Sequence, residues 1–249
     1  MNTRSVDASE HKGMSSRVRR KSEARRLEIL SAAARVFRRR GVAAAGMREI
    51  AEEADISPGN LYYYFRGKDE LLYFCQDRTL DQMHAAIEQA RRSAAPCAEQ
   101  LRAVLSAHLH CTLDELEGAT AHLEVEALPE TLRMPIIDKR DSYERAIRQL
   151  VTKGIRRGEF AVCDAALVTR AMLGAVNWTA RWFRPDGQQT VAEIATALSR
   201  YLVRGLVRGL VRGPAVRPAA RASADKPNAR ASAGKAAARR SATTSGVDK

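Results

Sequence analysis

The residues of greatest chemical interest are hydrogen-bonding side chains that follow a turn signal near position 57. Asn60 carries an amide, and Tyr62, Tyr63 and Tyr64 carry phenolic hydroxyl groups. Amide and phenol groups are among the side chains that proteins use to contact DNA. The group is therefore a candidate surface for nucleic-acid binding, provided that the surrounding chain presents it on a helix.

Three short helices are predicted to position these side chains. The first has an apolar face of Leu27, Leu30, Ala34 and Phe37, at spacings of three and four. It is expected to stop at Gly41, and a second helix begins near Met47 and ends at Asp55. Ser57 can cap a third helix that has Pro58 in its first position. Two helices joined by a turn of about four residues form a helix-turn-helix, whose second helix enters the major groove.

The same segment resembles the TetR/AcrR family of bacterial transcriptional regulators. The resemblance covers about residues 24–74 and is most specific at LYYYF, residues 61–65, followed by Lys68 and Leu71. Two positions depart from the family pattern. Gly46 and Met47 replace the usual Thr or Ser cap of the second helix, and Asp55 replaces the usual glycine of the turn. Aspartate tolerates the left-handed backbone region, so the turn is expected to survive.

The resemblance implies a role in DNA binding for eight residues: Arg48, Ser57, Gly59, Asn60, Tyr62, Tyr63, Tyr64 and Lys68. Base edges would be read by Arg48 and by the head of the third helix, at positions 59, 60 and 63. Tyr62, Tyr64 and Lys68 would contact phosphates. The alternative for the tyrosines is simple packing in the core. For Tyr62 the two interpretations are equally favoured, because a tyrosine can bury its ring and leave its hydroxyl exposed to solvent.

Basic charge is concentrated at the two ends of the chain. The sequence holds 42 Lys and Arg against 29 Asp and Glu, and the excess lies in the first 80 residues and in the last 46. Residues 1–21 are predicted to form a disordered basic arm that follows DNA, or else a solvated leader without specific contacts. Residues 209–249 are predicted to be a disordered basic tail, which either adds phosphate contacts or has no role.

The rest of the chain is predicted to be all-α. Helices are expected near 68–93, 97–116, 119–128, 133–157, 164–183 and 190–208, because apolar spacing stays helical and no strand alternation occurs. The domain boundaries follow: a helix-turn-helix head at 22–70 and a helical effector-binding and dimerisation bundle at 71–208. The last two helices, rich in Ala, Leu and Val and containing Gly174, are the predicted dimer interface. In the resembled family they form a four-helix bundle across the two-fold axis.

A second cluster lies near the end of the fifth of these helices. It comprises Asn177, Trp178, Arg181 and Trp182, followed by Arg184. The segment is similar to a family subgroup linked to fatty-acid and steroid catabolism, in which a CoA thioester is the effector. Aromatic faces and guanidinium groups can bind adenine and phosphate. The alternative is that the two tryptophans fill the dimer interface or end the helix.

Other classes of function have little support. His108, His110, Cys111 and His122 do not have a spacing that would hold a metal, and we expect no cofactor. No phosphate-binding glycine loop or nucleophile-base pair occurs, so an enzyme is not expected. No stretch of about 18 apolar residues and no signal-like leader occurs, so we expect no membrane contact and a cytoplasmic protein.

The sequence thus predicts a homodimeric transcriptional regulator of double-stranded DNA. A repressor released from a palindromic operator by a small-molecule effector, such as an acyl-CoA or another lipid-derived ligand, is favoured over an activator. The alternative class is a nucleoid-associated protein that binds DNA without regard to sequence, which the basic tail would suit.

Overall fold

The computed structural model describes residues 16–113 and 124–207. In this part of the chain it contains eight α-helices: α1 Ser16–Ala44, α2 Met47–Glu53, α3 Pro58–Tyr64, α4 Lys68–Arg92, α5 Cys97–Leu113, α6 Glu130–Arg156, α7 Ala165–Trp182 and α8 Val191–Arg204. A 3-10 turn, Val125–Ala127, precedes α6. The described ranges contain no strand beyond one isolated bridge between Phe160 and Val207. The all-α prediction is confirmed.

The first three helices form a small head around a common apolar core. Phe37 of α1, Ile50 of α2 and Leu61 of α3 are fully buried there. Gly41 has a φ of 75°, so helical geometry breaks where the sequence predicted a stop. Asp55 has a φ of 52° in the turn between α2 and α3, which confirms that aspartate can replace the usual glycine there. The helix-turn-helix frame is therefore intact.

Helix α1 begins earlier than predicted. Residues 16–21, which were expected to belong to an irregular arm, are helical, while residues 1–15 lie outside the described part. The physical reason is propensity: residues 16–26 contain no glycine or proline and are rich in arginine, which favours helix. These residues can extend the packed helix that begins its buried face at Ile29.

Helices α4 to α8 form the second bundle, with α5 packed against α4, α6, α7 and α8. Two predicted boundaries were wrong. Only residues 124–128 of the helix expected at 119–128 are described, and they hold the 3-10 turn. The following Pro129 disfavours helical geometry at the preceding residue. Helix α8 ends at Arg204 instead of 208, because the chain turns and Ala161 N–H donates to Leu206 O at 2.8 Å. Residues 208–249, including the predicted tail, lie outside the described ranges.

Gly154 allows Phe160 to pack directly on α6. A Cβ atom at position 154 would lie 2.2 Å from Cδ2 of the buried Phe160 ring. We expect Gly154→Ala to lower the free energy of unfolding by about 1–3 kcal/mol, because the ring must leave its site. Urea denaturation would measure this change. Gly59→Ala, at a helical position with open space around it, is the control and should leave stability unchanged or slightly raised.

No helix among the described residues is long and apolar enough to cross a membrane.

Candidate nucleic-acid interface and effector site

Helix α3 presents a hydrogen-bonding face because its two apolar residues hold the opposite face. Leu61 and Phe65 are fully buried. Ser57 Oγ accepts a hydrogen bond from Asn60 N–H at 3.1 Å, which confirms the predicted cap. The helix is thereby anchored at both ends, and its N-terminal end faces outward, with Gly59 and Asn60 exposed.

The three tyrosines of α3 occupy different environments. The side chains of Tyr62 and Tyr63 are 52% and 82% exposed, so neither is a core residue. Tyr64 is half-buried, packs against the core and meets the Tyr63 ring edge-on, with centroids 5.2 Å apart. The packing interpretation therefore applies only to Tyr64. With Lys21 and Arg25 of α1, Tyr63 and Tyr64 line an open groove of about 490 Å³.

Arg48 lies on the exposed surface of α2, next to the capping position. Gly46 makes no side-chain capping bond, as its lack of a hydroxyl predicts. The neighbouring arginines of α1 are used differently: Arg35 and Arg39 each donate to Glu53 at 2.6 Å. Those bonds hold the pKa of the Glu53 carboxyl below its ordinary value. Part of the basic charge of the head thus fastens α1 to α2, while the Arg48 side chain is presented to solvent.

Lys68 has a different environment from the one predicted. Its ammonium group lies at the start of α4 and donates to three backbone carbonyl oxygens: Val42 and Ala43 at 2.9 Å, and Ala45 at 3.3 Å. These carbonyls lie in the last turn of α1 and directly after it, where unpaired acceptors and the helix dipole favour a cation. An ammonium group has three N–H donors, and all are engaged. In this conformation Lys68 ties α4 to α1 and has no donor left for a phosphate.

Arg26 has a structural role that was not predicted from the sequence. Its guanidinium group lies 4.8 Å from the centroid of the Phe65 ring and 4.6 Å from that of Phe74. The charge is therefore placed between α3 and α4 by two cation–π contacts. A signal was present in the sequence, because Arg26 precedes the buried Leu30 by four residues and so shares its helical face.

The four residues of the predicted effector cluster do not share one environment. Asn177 points inward, where His108 Nε2–H donates to its Oδ1 at 3.0 Å. Trp178 and Trp182 are 64% and 48% exposed, and Arg181 is also exposed. The four residues therefore do not form one site within this chain. Trp182 instead lines an open groove of about 410 Å³ with Phe183, Arg184 and residues 187–189.

An apolar stripe runs along the outer face of α7. It is formed by the exposed residues Leu167, Ala171, Gly174 and Trp178, at helical spacings of four, three and four. On α8, Tyr201 is 77% exposed. A continuous row of exposed apolar side chains on one helix face is typical of a surface that another molecule or subunit buries. We call this set, with Tyr201, the α7/α8 face.

The inside of the second bundle contains polar side chains that the sequence did not identify as a group. The buried Tyr143 ring lies 5.6 Å from the rings of both His84 and His108, measured between centroids. Burial lowers the pKa of His108 to about 4, so this imidazole is neutral at physiological pH. In the described part of the chain, no set of three or more potential ligands is placed to hold a metal ion.

Comparison with known proteins places the two bundles in one family. The family described as "Bacterial regulatory proteins, tetR family" matches residues 29–73, and "Tetracyclin repressor-like, C-terminal domain" matches residues 94–206. The ketosteroid transcriptional regulator KstR2 of Mycobacterium tuberculosis is 29% identical over 185 residues, which are 72% of this chain and 90% of KstR2. Its structure superposes with a TM-score of 0.66, at 26% identity, over 74% of this chain and 95% of that one.

Two further solved structures share the fold. AibR in complex with isovaleryl coenzyme A and operator DNA matches with a TM-score of 0.60 at 23% identity, over 74% of this chain and 98% of AibR. PfmR of Thermus thermophilus matches with a TM-score of 0.65 at 34% identity, over 72% of this chain and 99% of PfmR. With both of its bundles matched and PfmR similar over nearly its whole length, the chain belongs to the TetR family, whose members are DNA-binding transcription regulators and not enzymes.

Proposed function

We propose that the protein is a homodimeric repressor that binds a palindromic operator through α3 and leaves it when a CoA thioester binds the second bundle. The observation that carries the DNA-binding part is the exposed face of α3. Asn60, Tyr62 and Tyr63 project from a helix whose other side is fixed by Leu61 and Phe65. A short, anchored helix with exposed donors suits insertion into a major groove.

Dimerisation is supported by the α7/α8 face. Its apolar side chains have no partner within the described chain, and Gly174 has open space around it that another helix can enter. A two-fold dimer covers the same face of both subunits at once. Because each subunit carries one α3, such a dimer reads two identical half-sites in inverted order, which is a palindrome.

The chemistry of each side chain in the head suggests whether it contacts bases or phosphates. Arg48 carries a planar fork of donors that can bind guanine, and Asn60 and Tyr63 stand at the outward surface of α3. The hydroxyl groups of Tyr62 and Tyr64 would contact phosphates, together with Lys21 and Arg25 in the groove that Tyr63 and Tyr64 line. Lys68 is left out of this set because its donors are engaged within the protein.

A CoA thioester is supported by two observations. The AibR structure holds a CoA ester together with operator DNA on the same fold. In this chain, Trp182 and Arg184 border an open groove at the end of α7, where an aromatic face and a guanidinium group can receive adenine and phosphate. Binding needs to change the affinity for DNA by only about 1–3 kcal/mol to act as a regulatory signal.

The first test is selection from random DNA duplexes by the full-length protein at near-physiological salt. A palindromic motif with half-sites about one helical turn apart is expected. Enrichment without any motif would reject the repressor and favour a protein that binds DNA regardless of sequence.

Arg48→Ala is expected to lose discrimination at one base pair in each half-site. The cost at that position should be about 1–3 kcal/mol, because a bidentate contact to a base edge is lost. Selection with the variant, followed by titration of single-base operator variants, measures the effect. Arg145→Ala removes an equally exposed arginine from α6 and should select the wild-type motif. An unchanged motif with Arg48→Ala would show that Arg48 does not read bases.

A further inference from the structure

The hydroxyl group of Tyr143 lies inside the second bundle without a hydrogen-bond partner among the described residues. The residue is 3% exposed, and its Oη atom has no hydrogen-bond partner among the described residues. The ring is held from two sides by His84 of α4 and His108 of α5. A buried hydroxyl without a partner is destabilising, so a ligand that supplies an acceptor would recover that lost hydrogen-bond energy.

Arg140 lies one helical turn before Tyr143 on α6, and so on the same side of the helix. It is only partly exposed, and its guanidinium group forms no ion pair or hydrogen bond with any residue that the structure describes. Burial lowers the pKa of its guanidinium group. The pKa of the buried His108 is lowered mainly by burial, and the positive charge of Arg140 adds to that effect.

Two other cations at the interface between α4 and α6 differ from Arg140 because they have partners. Lys139, the preceding residue, forms ion pairs with Asp77 and with Asp81 of α4. Arg91 donates to Gln149 of α6 at 2.7 Å and also pairs with Glu88. These two cations therefore stabilise the interface between α4 and α6. Arg140 has no such partner among the described residues.

Among the described residues, the two histidines that contact the Tyr143 ring supply no negative charge. His108 is neutral, and its Nε2–H group is already donated to Asn177. His84 is bonded through Nε2 to the backbone carbonyl of Lys139 at 3.0 Å. Within the described ranges, the Tyr143 hydroxyl group and the Arg140 guanidinium group are thus two donors without a partner, and the histidines add no anion. The matching ligand group is a small anion with two acceptor oxygens.

We propose that Arg140 and Tyr143 bind a carboxylate group of the effector. A carboxylate matches the planar fork of a guanidinium group, and its lone pairs can also accept from a phenolic O–H. The proposal rests on the proposed function, because it assumes an effector in the second bundle. If that effector is a CoA thioester, its acyl chain carries a second carboxyl group at the end remote from the thioester.

The test compares matched probes by calorimetric titration of the full-length dimer. Suberyl-CoA and octanoyl-CoA have the same carbon number and differ in a terminal carboxylate against a methyl group; six- and ten-carbon pairs extend the comparison. Free octanedioate serves as the third probe. We expect each carboxylated CoA ester whose length fits to bind about tenfold or more tightly than its partner, because the partner leaves both donors unmet.

The variants assign that preference to the two residues. Arg140→Met and Tyr143→Phe should each reduce it, whereas Arg145→Met, an exposed arginine on the same helix, should preserve it. Arg140→Lys keeps the charge without the fork and should show an intermediate loss, which also serves if Arg140→Met does not fold. A preference that survives in Arg140→Lys, Arg140→Met and Tyr143→Phe would overturn the assignment.

The three probes separate the two proposals. Equal binding of the paired CoA esters would reject the carboxylate site and keep a CoA thioester as effector. Binding of free octanedioate alone, lost in Arg140→Met, would keep the carboxylate site and reject the CoA thioester. If no probe of any length binds, both proposals fail.

Discussion

Lys68→Ala is expected to destabilise the DNA-binding head by about 2–4 kcal/mol, because three charge-assisted hydrogen bonds to backbone carbonyls are lost. The carbonyl of Val42 belongs to a buried residue, so water replaces the ammonium group poorly there. Urea denaturation followed by circular dichroism measures the loss. Operator binding should weaken at every salt concentration by the same factor, since the folded head keeps its phosphate contacts.

The matched control is Arg66→Ala, which removes an exposed cation two residues away and should leave stability unchanged. If Lys68→Ala kept its stability and lowered the slope of log affinity against log salt by about one, Lys68 would be a phosphate contact after all.

Ala171→Glu is expected to convert the protein to a monomer and to reduce operator affinity by at least about a hundredfold. The carboxylate would stand in the middle of the α7/α8 face, and a two-fold interface would bury it twice without a partner. Analytical ultracentrifugation gives the oligomeric state, and titration of the selected operator gives the affinity.

Met134→Glu is the control for this prediction. It introduces the same charge at an exposed apolar position that belongs to α6 and not to the α7/α8 face, and should leave a dimer with normal affinity. A dimeric Ala171→Glu protein would show that the subunits associate through another surface.

The helix-turn-helix was predictable because its signals are local. The Ser57 cap, Pro58 in the first helical turn and the left-handed Asp55 each act within a few residues, so the sequence determines the turn directly. The same holds for the exposure of α3, which follows from Leu61 and Phe65 four residues apart. The start of α1 was misplaced because charge was taken to mean disorder, although arginine favours helix.

The remaining differences come from contacts between distant residues. Lys68 meets the end of α1 some 25 residues earlier in the sequence, and no local pattern encodes that contact. Asn177 and Trp178 are adjacent, yet one faces His108 and the other faces solvent, because successive helical residues point about 100° apart. The environment of Tyr143 depends on His84 of α4 and His108 of α5, so the sequence near Tyr143 and Arg140 does not reveal it.

The position of Arg26 has a mechanical consequence. Phe65 follows the last residue of α3, and Phe74 lies within the first two turns of α4, the helix that continues into the second bundle. Because the Arg26 guanidinium group contacts both rings, we expect a tilt of α4 either to turn α3 with it or to break one of the two ring contacts. If α3 binds DNA as proposed, its angle on the DNA then depends on the point where α4 leaves the head.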